Sequence, residues 1–288
     1  MIDFGWGLSQ LRLCIFIFTL LLFRLKGGRY FVTVHELAKL NHSTRYRDFW
    51  LRYFIERAQK VFVHHQPLKD SLVKAFRIPA EKIYFQFHGS FKGYYASDIT
   101  QAIARKMLGL PEKSVVFLVF GSLNKYKSIE ETIDAFQKAN APRAILIVAG
   151  APPKNKLSRC RFLEMIEERK SEKIIFFPHV VRDEEIQYFM KASNAVIVNY
   201  GREFVSGVAL LASSFGRVCL SPSRAAHLQY LAQPDSLQYS STDELTEVIR
   251  RCSEKPEELT TLGNLNEQMS RNFPWQNTAK ELKNLYYQ

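Results

Sequence analysis

The sequence predicts an α/β protein built from two Rossmann-like domains with parallel sheets, of which the N-terminal one is incomplete. Three observations predict it. The strand candidates are apolar throughout, a helix-period segment follows nearly every one of them, and glycines stand where several of these elements end.

Taken in order, the apolar stretch from Leu11 to Phe23 is bracketed by Arg12 and Arg24. It is too short to cross a bilayer, which takes roughly twenty residues, and no small-residue cleavage site follows it. It is expected as a buried or interfacial helix that Gly27-Gly28 ends. RYFVTVHE (29–36), KVFVHH (60–65) and KIYFQFHGSFKGYY (82–95) are strand candidates, separated by helical segments at 45–59 and 68–76. The alternation resumes with SVVFLVF (114–120), ended by Gly121. In the helix at 128–139, Ile129, Ile133 and Phe136 share a face, and RAILIVAG (143–150) follows as a strand. Phe162, Met165 and Ile166 then mark one face of a helix at 157–170. KIIFFP (173–178), EEIQYFMKA (184–192), NAVIVNY (194–200), VSGVALLASSFG (205–216) and RVCLS (217–221) complete the pattern. Domains of residues 1–97 and 98–288 are expected, with a last helix opened by Pro274-Trp275.

In open parallel sheets, ligands bind beyond the carboxyl ends of the strands, which directs attention to the loops 121–128, 150–155, 178–183 and 200–207. Two of them suit a phosphate. Gly121 permits close backbone approach, and Lys125 and Lys127 bring cations to the start of a helix. Ser206-Gly207 opens another helix, whose free amides and positive dipole end suit an anion. The competing reading is that Gly121 only turns the chain, the lysines are solvated and Ser206 is an ordinary cap. Both loops falling on one sheet edge favours the ligand.

The stretches FGSLNKYKSIEETIDAF (120–136), ILIVAG (145–150), KIIFFPHVVRDEEIQYFMKASNAVIVNY (173–200) and EFVSGVALLASSFGRVCL (203–220) resemble the donor half of retaining GT-B glycosyltransferases, including exopolysaccharide and capsule enzymes. The resemblance runs from about Leu110 to the C-terminus. It implies transfer of a hexose from a nucleotide diphosphate sugar to a glycan or lipid-linked glycan acceptor. The implied donor-binding residues are Gly121, Ser122, Lys125, Lys127, Tyr200, Ser206 and Gly207, and the implied catalytic residues are His35 and Glu203. No metal is required, and no cofactor beyond the sugar nucleotide. Two positions depart from the family pattern: Ser122 stands where an arginine is usual, and Leu211 where a second glutamate commonly holds the ribose. The strand at 29–36 and the HGSF loop (88–91) are similar to the later part of a GT-B acceptor domain. Fewer than 100 residues precede the donor half, so the first βα units are expected to be missing or supplied as a separate N-terminal segment. The last helix resembles the GT-B tail that crosses back to the first domain. A non-catalytic nucleotide-binding remnant or partner subunit is the rival reading. Another doubly wound phosphate enzyme is a third, and no G-x-G-x-x-G or P-loop favours it.

The formal charge is +12, and residues 1–97 hold 15 Lys/Arg against 6 Asp/Glu. Arg24, Lys26, Arg29, Arg45, Arg47, Arg52 and Arg57 alternate with aromatic residues, as suits an anionic membrane surface or a lipid-diphosphate acceptor, and equally a solvated basic face. Nucleic acid is not expected, because no recognition-helix, zinc-finger or RNA-binding signature is present. The expected location is cytoplasmic, peripheral at the inner membrane face. Cys14, Cys160, Cys219 and Cys252 are read as small core residues in a reducing compartment. His64, His65, His179 and His227 are read as structural, since none has metal-ligand spacing.

Overall fold

A computed structural model describes residues 2–3, 10–35, 45–200 and 205–287. The chain divides into two compact units, the first closing at His88 and the second opening at Gly89.

The first unit holds a parallel sheet of β1 (Ile2–Asp3), β2 (Phe31–Val34), β3 (Lys60–Val63) and β4 (Ile83–Phe85), in the order β1-β2-β3-β4. Ile2 pairs with Val32, Val32 with Val61, and Val61 with Ile83. The connecting helices are α1 (Gln10–Leu25), α2 (Arg45–Arg57) and α3 (Gln66–Phe76). A parallel sheet whose strands follow one another in sequence takes right-handed crossovers on one face. The core accordingly joins Val32, Val34, Val61 and Val63 to Ile17 and Leu20 of α1, Phe54 and Ile55 of α2, and Leu72 of α3. The sequence reading places no strand ahead of the apolar helix. Ile2–Asp3 is one, two residues long and therefore without any periodicity to read. The helix ends as expected: Gly27 takes φ +76 and donates to the Arg24 carbonyl at 2.9 Å, while Gly28 donates to the Phe23 carbonyl at 2.9 Å, satisfying carbonyls the helix leaves open.

The second unit is a six-stranded parallel sheet with helices on both faces. In chain order it comprises α4 (Gln101–Met107), β5 (Val115–Phe120), α5 (Ile129–Ala139), β6 (Ala144–Ala149), α6 (Lys156–Arg169), β7 (Ile174–Phe177), α7 (Ile186–Ala192) and β8 (Ala195–Ile197). It continues with α8 (Gly207–Ser214), β9 (Val218–Pro222), β10 (Gln238–Tyr239), α9 (Thr242–Glu254), α10 (Pro256–Ser270) and α11 (Trp275–Tyr286). Side chains of β5 alternate between the two cores. Val115, Phe117 and Val119 join Ile133 and Phe136 of α5, Phe162 of α6 and Ile249 of α9, whereas Val116, Leu118 and Phe120 join Ala104, Met190 and Ala212 on the other side. A strand buried on both faces has no polar position to offer, which is why it reads as one apolar run. Burying Ile133, fully inaccessible, contributes about 2 kcal/mol.

The strand order is β10-β9-β8-β5-β6-β7. The chain builds outward from β5 through β6 to β7, then returns to lay β8 against the opposite flank of β5. The order reverses between β5 and β8, and beyond the carboxyl ends at such a reversal is where open parallel sheets place their ligands. The sequence reading places the domain boundary at 97/98, whereas the compact units divide nine residues earlier. Packing explains the difference: Ser90 donates to the Phe273 carbonyl at 2.7 Å, Phe91 donates to Ser214 Oγ at 3.0 Å, and Phe91 and Tyr95 lie against the second unit's core.

Candidate functional site

The loop after β5 and the segment after β8 meet at this reversal. Lys127 lies in a single 3-10 turn, Lys125–Lys127, and is only 2% exposed. Its Nζ donates to the Phe120 carbonyl at 2.6 Å and to the Tyr200 hydroxyl at 3.0 Å, and stands 4.5 Å from the centre of the Tyr200 ring. None of these partners carries a negative charge. Among the described residues no carboxylate pairs with Lys127, and burial lowers its ammonium from the usual 10.5 to about 7. A buried cation whose company among the described residues is dipoles and the rings of Tyr126 and Tyr200 is an electrostatic deficit that an anion would relieve.

The donors beside it come from α8. Ser206, 1% exposed, caps this helix by accepting from the Ala209 amide, and it also donates to the Tyr200 hydroxyl at 3.3 Å. Tyr200 thus ties Lys127 to the helix cap, and burial pushes its phenol up, keeping it un-ionised. Gly207 begins the helix, a Cβ there would meet nothing within 4 Å, and the first amides of α8 have no partner within the helix itself. Gly121 takes φ +95, and a Cβ on it would lie 3.3 Å from Lys127 Nζ. Gly150, after β6, packs closer still: a Cβ there would fall 1.7 Å from the Gly121 carbonyl oxygen.

The remaining expected residues are distributed around this cradle. Ser122 is exposed and its Oγ accepts from Asn124 Nδ2 at 2.7 Å. Lys125 is exposed and lines a separate depression of about 360 Å³ between α5 and α6, with Ile129, Arg161 and Phe162. Glu203 lies outside the described residues. Leu211, at the position of the family's second carboxylate, belongs to the apolar core of α8.

In the first unit, the carboxyl ends of three adjacent strands each deliver a histidine. His35 follows β2, His64 follows β3 and His88 follows β4. The His35 and His64 rings are 5.1 Å apart and those of His64 and His88 5.2 Å. His64 is buried, its Nδ1 lies 2.9 Å from the Gln86 carbonyl, and burial together with the neighbouring imidazoles lowers its pKa to about 4. His35 is exposed at the edge of this row. The burial of His64 and its contact with the Gln86 carbonyl agree with its reading as structural; the row itself was signalled by three histidines standing just past strand ends. Among the described residues no group of three or more His, Cys, Asp or Glu is arranged to hold a metal. Of the cysteines, Cys219 and Cys252 are buried as expected, but Cys160 is exposed, because α6 buries the face of Phe162, Met165 and Ile166 and turns Cys160 away from it.

Residues 100–269 match the family model described as glycosyl transferases group 1. No curated protein matches the chain. Among solved structures, the chain is similar to sucrose-phosphate synthase from Thermosynechococcus elongatus, at 20% identity and a TM-score of 0.74, covering 92% of this chain and 69% of that one. It is also similar to Anabaena HepE in complex with UDP-glucose, at 16% identity and a TM-score of 0.78, covering 96% and 77%. A third similar structure is WaaG, a glycosyltransferase involved in lipopolysaccharide biosynthesis, at 16% identity and a TM-score of 0.70, covering 92% and 80%. Two parallel α/β units of this type and a family match over more than half the chain make it a GT-B glycosyltransferase belonging to the glycosyl transferases group 1 family.

Proposed function

We propose that the chain transfers a hexose, with retention at the anomeric carbon, from a nucleotide diphosphate sugar to a glycan or lipid-linked glycan in exopolysaccharide or capsule synthesis. The carrying observation is Lys127, buried at the strand-order reversal with no carboxylate partner among the described residues and linked through Tyr200 to the cap of α8. Departure of the sugar leaves negative charge on the diphosphate. A preorganised ammonium and the amides of Gly207 and Val208 lower the barrier by meeting that charge in a site already shaped for it. Desolvation makes each contact stronger than its equivalent in water. His35 is proposed to face the transferred sugar, and Glu203 to contact the donor. Uridine is the first nucleotide to test, because HepE is described with UDP and UDP-glucose. Leu211 is buried and apolar, so any grip on the ribose comes from other groups.

The experiment is calorimetric titration with UDP, followed by an assay of UDP-hexoses in which the product anomer is read by NMR. Binding with turnover and a retained anomer supports the reading. Binding without turnover, with lipid-linked acceptors included, favours the nucleotide-binding remnant. Absence of binding to any nucleoside diphosphate removes the cradle from donor recognition.

A further inference from the structure

Helix α1 is apolar around its whole circumference, and such helices are normally covered on all sides. Only half of it is. Ile17 and Leu20 are 5% exposed in the core of the first unit, and Phe16 and Leu21 pack beside them. The opposite stripe, Ile15, Phe18, Leu22 and Leu25, follows the spacing i, i+3, i+7, i+10 and is exposed at 57%, 63%, 42% and 82%. Thr19, next to it, turns its hydroxyl back onto the Ile15 carbonyl at 2.8 Å and so presents little polarity.

The charge around this stripe is of one sign. No Asp or Glu occurs between Asp3 and Glu36, while Arg12, Arg24, Lys26 and Arg29 all do. Lys26 and Arg29 stand exposed in the glycine turn that ends α1, whereas Arg24, four residues after Leu20, turns to the packed side and lies over the Tyr30 ring at 5.9 Å. Glu56, on the packed helix α2, is paired with Arg52 at 2.6 Å. At 16 residues, α1 is too short to cross a bilayer, and no helix among the described residues is long and apolar enough to do so. An apolar stripe lying flat, flanked by basic residues, matches the boundary between acyl chains and anionic headgroups.

We infer that the outer face of α1 docks the protein on an anionic lipid surface, with Ile15, Phe18, Leu22 and Leu25 entering the acyl boundary and Lys26 and Arg29 meeting the headgroups. The inference stands apart from the donor chemistry, since it uses no residue of the cradle. The test is co-sedimentation of the full chain with vesicles of phosphatidylcholine alone or with 30% phosphatidylglycerol, about a third anionic lipid being enough to develop a surface potential. The wild type should pellet with the anionic vesicles, less so as salt rises, and poorly with neutral ones. Phe18→Glu/Leu22→Glu and, separately, Lys26→Glu/Arg29→Glu should each reduce partitioning at least about tenfold, with melting temperature and UDP titration unchanged. Three results overturn the proposal: equal binding to neutral and anionic vesicles, unaltered binding by the Phe18→Glu/Leu22→Glu variant, or a dimer in vesicle-free solution that this variant dissociates, which would give the stripe to a second copy.

Discussion

Both sheets are parallel and both place their chemistry at carboxyl ends, yet they use different materials. In the first unit the described strands run in simple sequence, and their carboxyl ends carry side chains, a row of imidazoles. In the second the order turns over between β5 and β8, and the site is made largely of backbone: a carbonyl at the end of β5, the amides of α8 and glycines close enough to bring them together. One buried lysine is added. A backbone cradle recognises charge and shape, while a histidine row can exchange protons.

The strongest way to break the comparison is to remove the backbone contact on which the second edge depends. Gly150→Ala puts a Cβ at φ +145 and 1.7 Å from the Gly121 oxygen, and should destabilise the second unit by more than about 4 kcal/mol, read as a fall in the urea midpoint. A well-folded Gly150→Ala protein would mean that the two loops are free to separate.

Next in size is the separation of binding from turnover. Lys127→Ala should weaken UDP binding by about 1–3 kcal/mol, the scale for losing a charge-assisted contact. His35→Ala should leave UDP affinity in place and lower kcat. If calorimetry finds His35→Ala weakening UDP as much as Lys127→Ala does, the edges do not divide the work.

The pH dependence of stability separates the edges again. Lys127 is lowered from 10.5 to about 7 by burial, so between those values the unfolded chain binds more protons and stability rises with pH. Wild type should therefore gain on Lys127→Met from pH 7 to 10, by up to about 1.4 kcal/mol per pH unit. His64 is lowered from 6.5 to about 4, chiefly by burial, so its contribution is present above 6.5 and lost as pH falls towards 4. Wild type should lose ground to His64→Gln across that window. His227 is lowered to about 4 as well, so the comparison with the His64 variant is needed to isolate the first unit. Parallel pH curves for wild type and either variant would show that the group does not titrate as its burial implies.

The smallest effect concerns the tie between lysine and helix cap. Tyr200→Phe removes one hydroxyl that accepts from Lys127 and from Ser206, and should cost about 1 kcal/mol of UDP affinity. No change would make the Tyr200 ring, rather than its hydroxyl, the part that matters.

Much of this was legible in the residues. Strands buried on both faces announce themselves, and helices such as α5 and α6 showed their buried face through Ile133, Phe136, Phe162 and Met165. The loops that matter could be picked out by strand ends alone. What could not be read is the convergence itself: Lys127 and Tyr200 are 73 positions apart, and only the return of the chain from β7 to β8 brings them together. Nor does the sequence separate Lys125 from Lys127. They differ by two residues in a 3-10 turn that buries one and leaves the other in water. Strand β1 was invisible for want of length, and the packing of Phe91 and Tyr95 could not be read because it depends on a core assembled from distant segments.

The contact between Gly121 and Gly150 has a consequence for anyone who would recombine this protein with its relatives. The loops after β5 and β6 touch main chain to main chain, with the Gly121 amide on the Ala149 carbonyl at 3.0 Å and the Leu123 amide on the Ala151 carbonyl at 2.7 Å. They are effectively one cassette written in two places. Exchanging the lysine-bearing loop alone would import a backbone path shaped for a different partner, and the mismatch would appear as lost folding rather than altered donor choice. Chimeras that carry 121–128 and 150–155 together keep the pair matched, and so give specificity a chance to change while the fold stays intact.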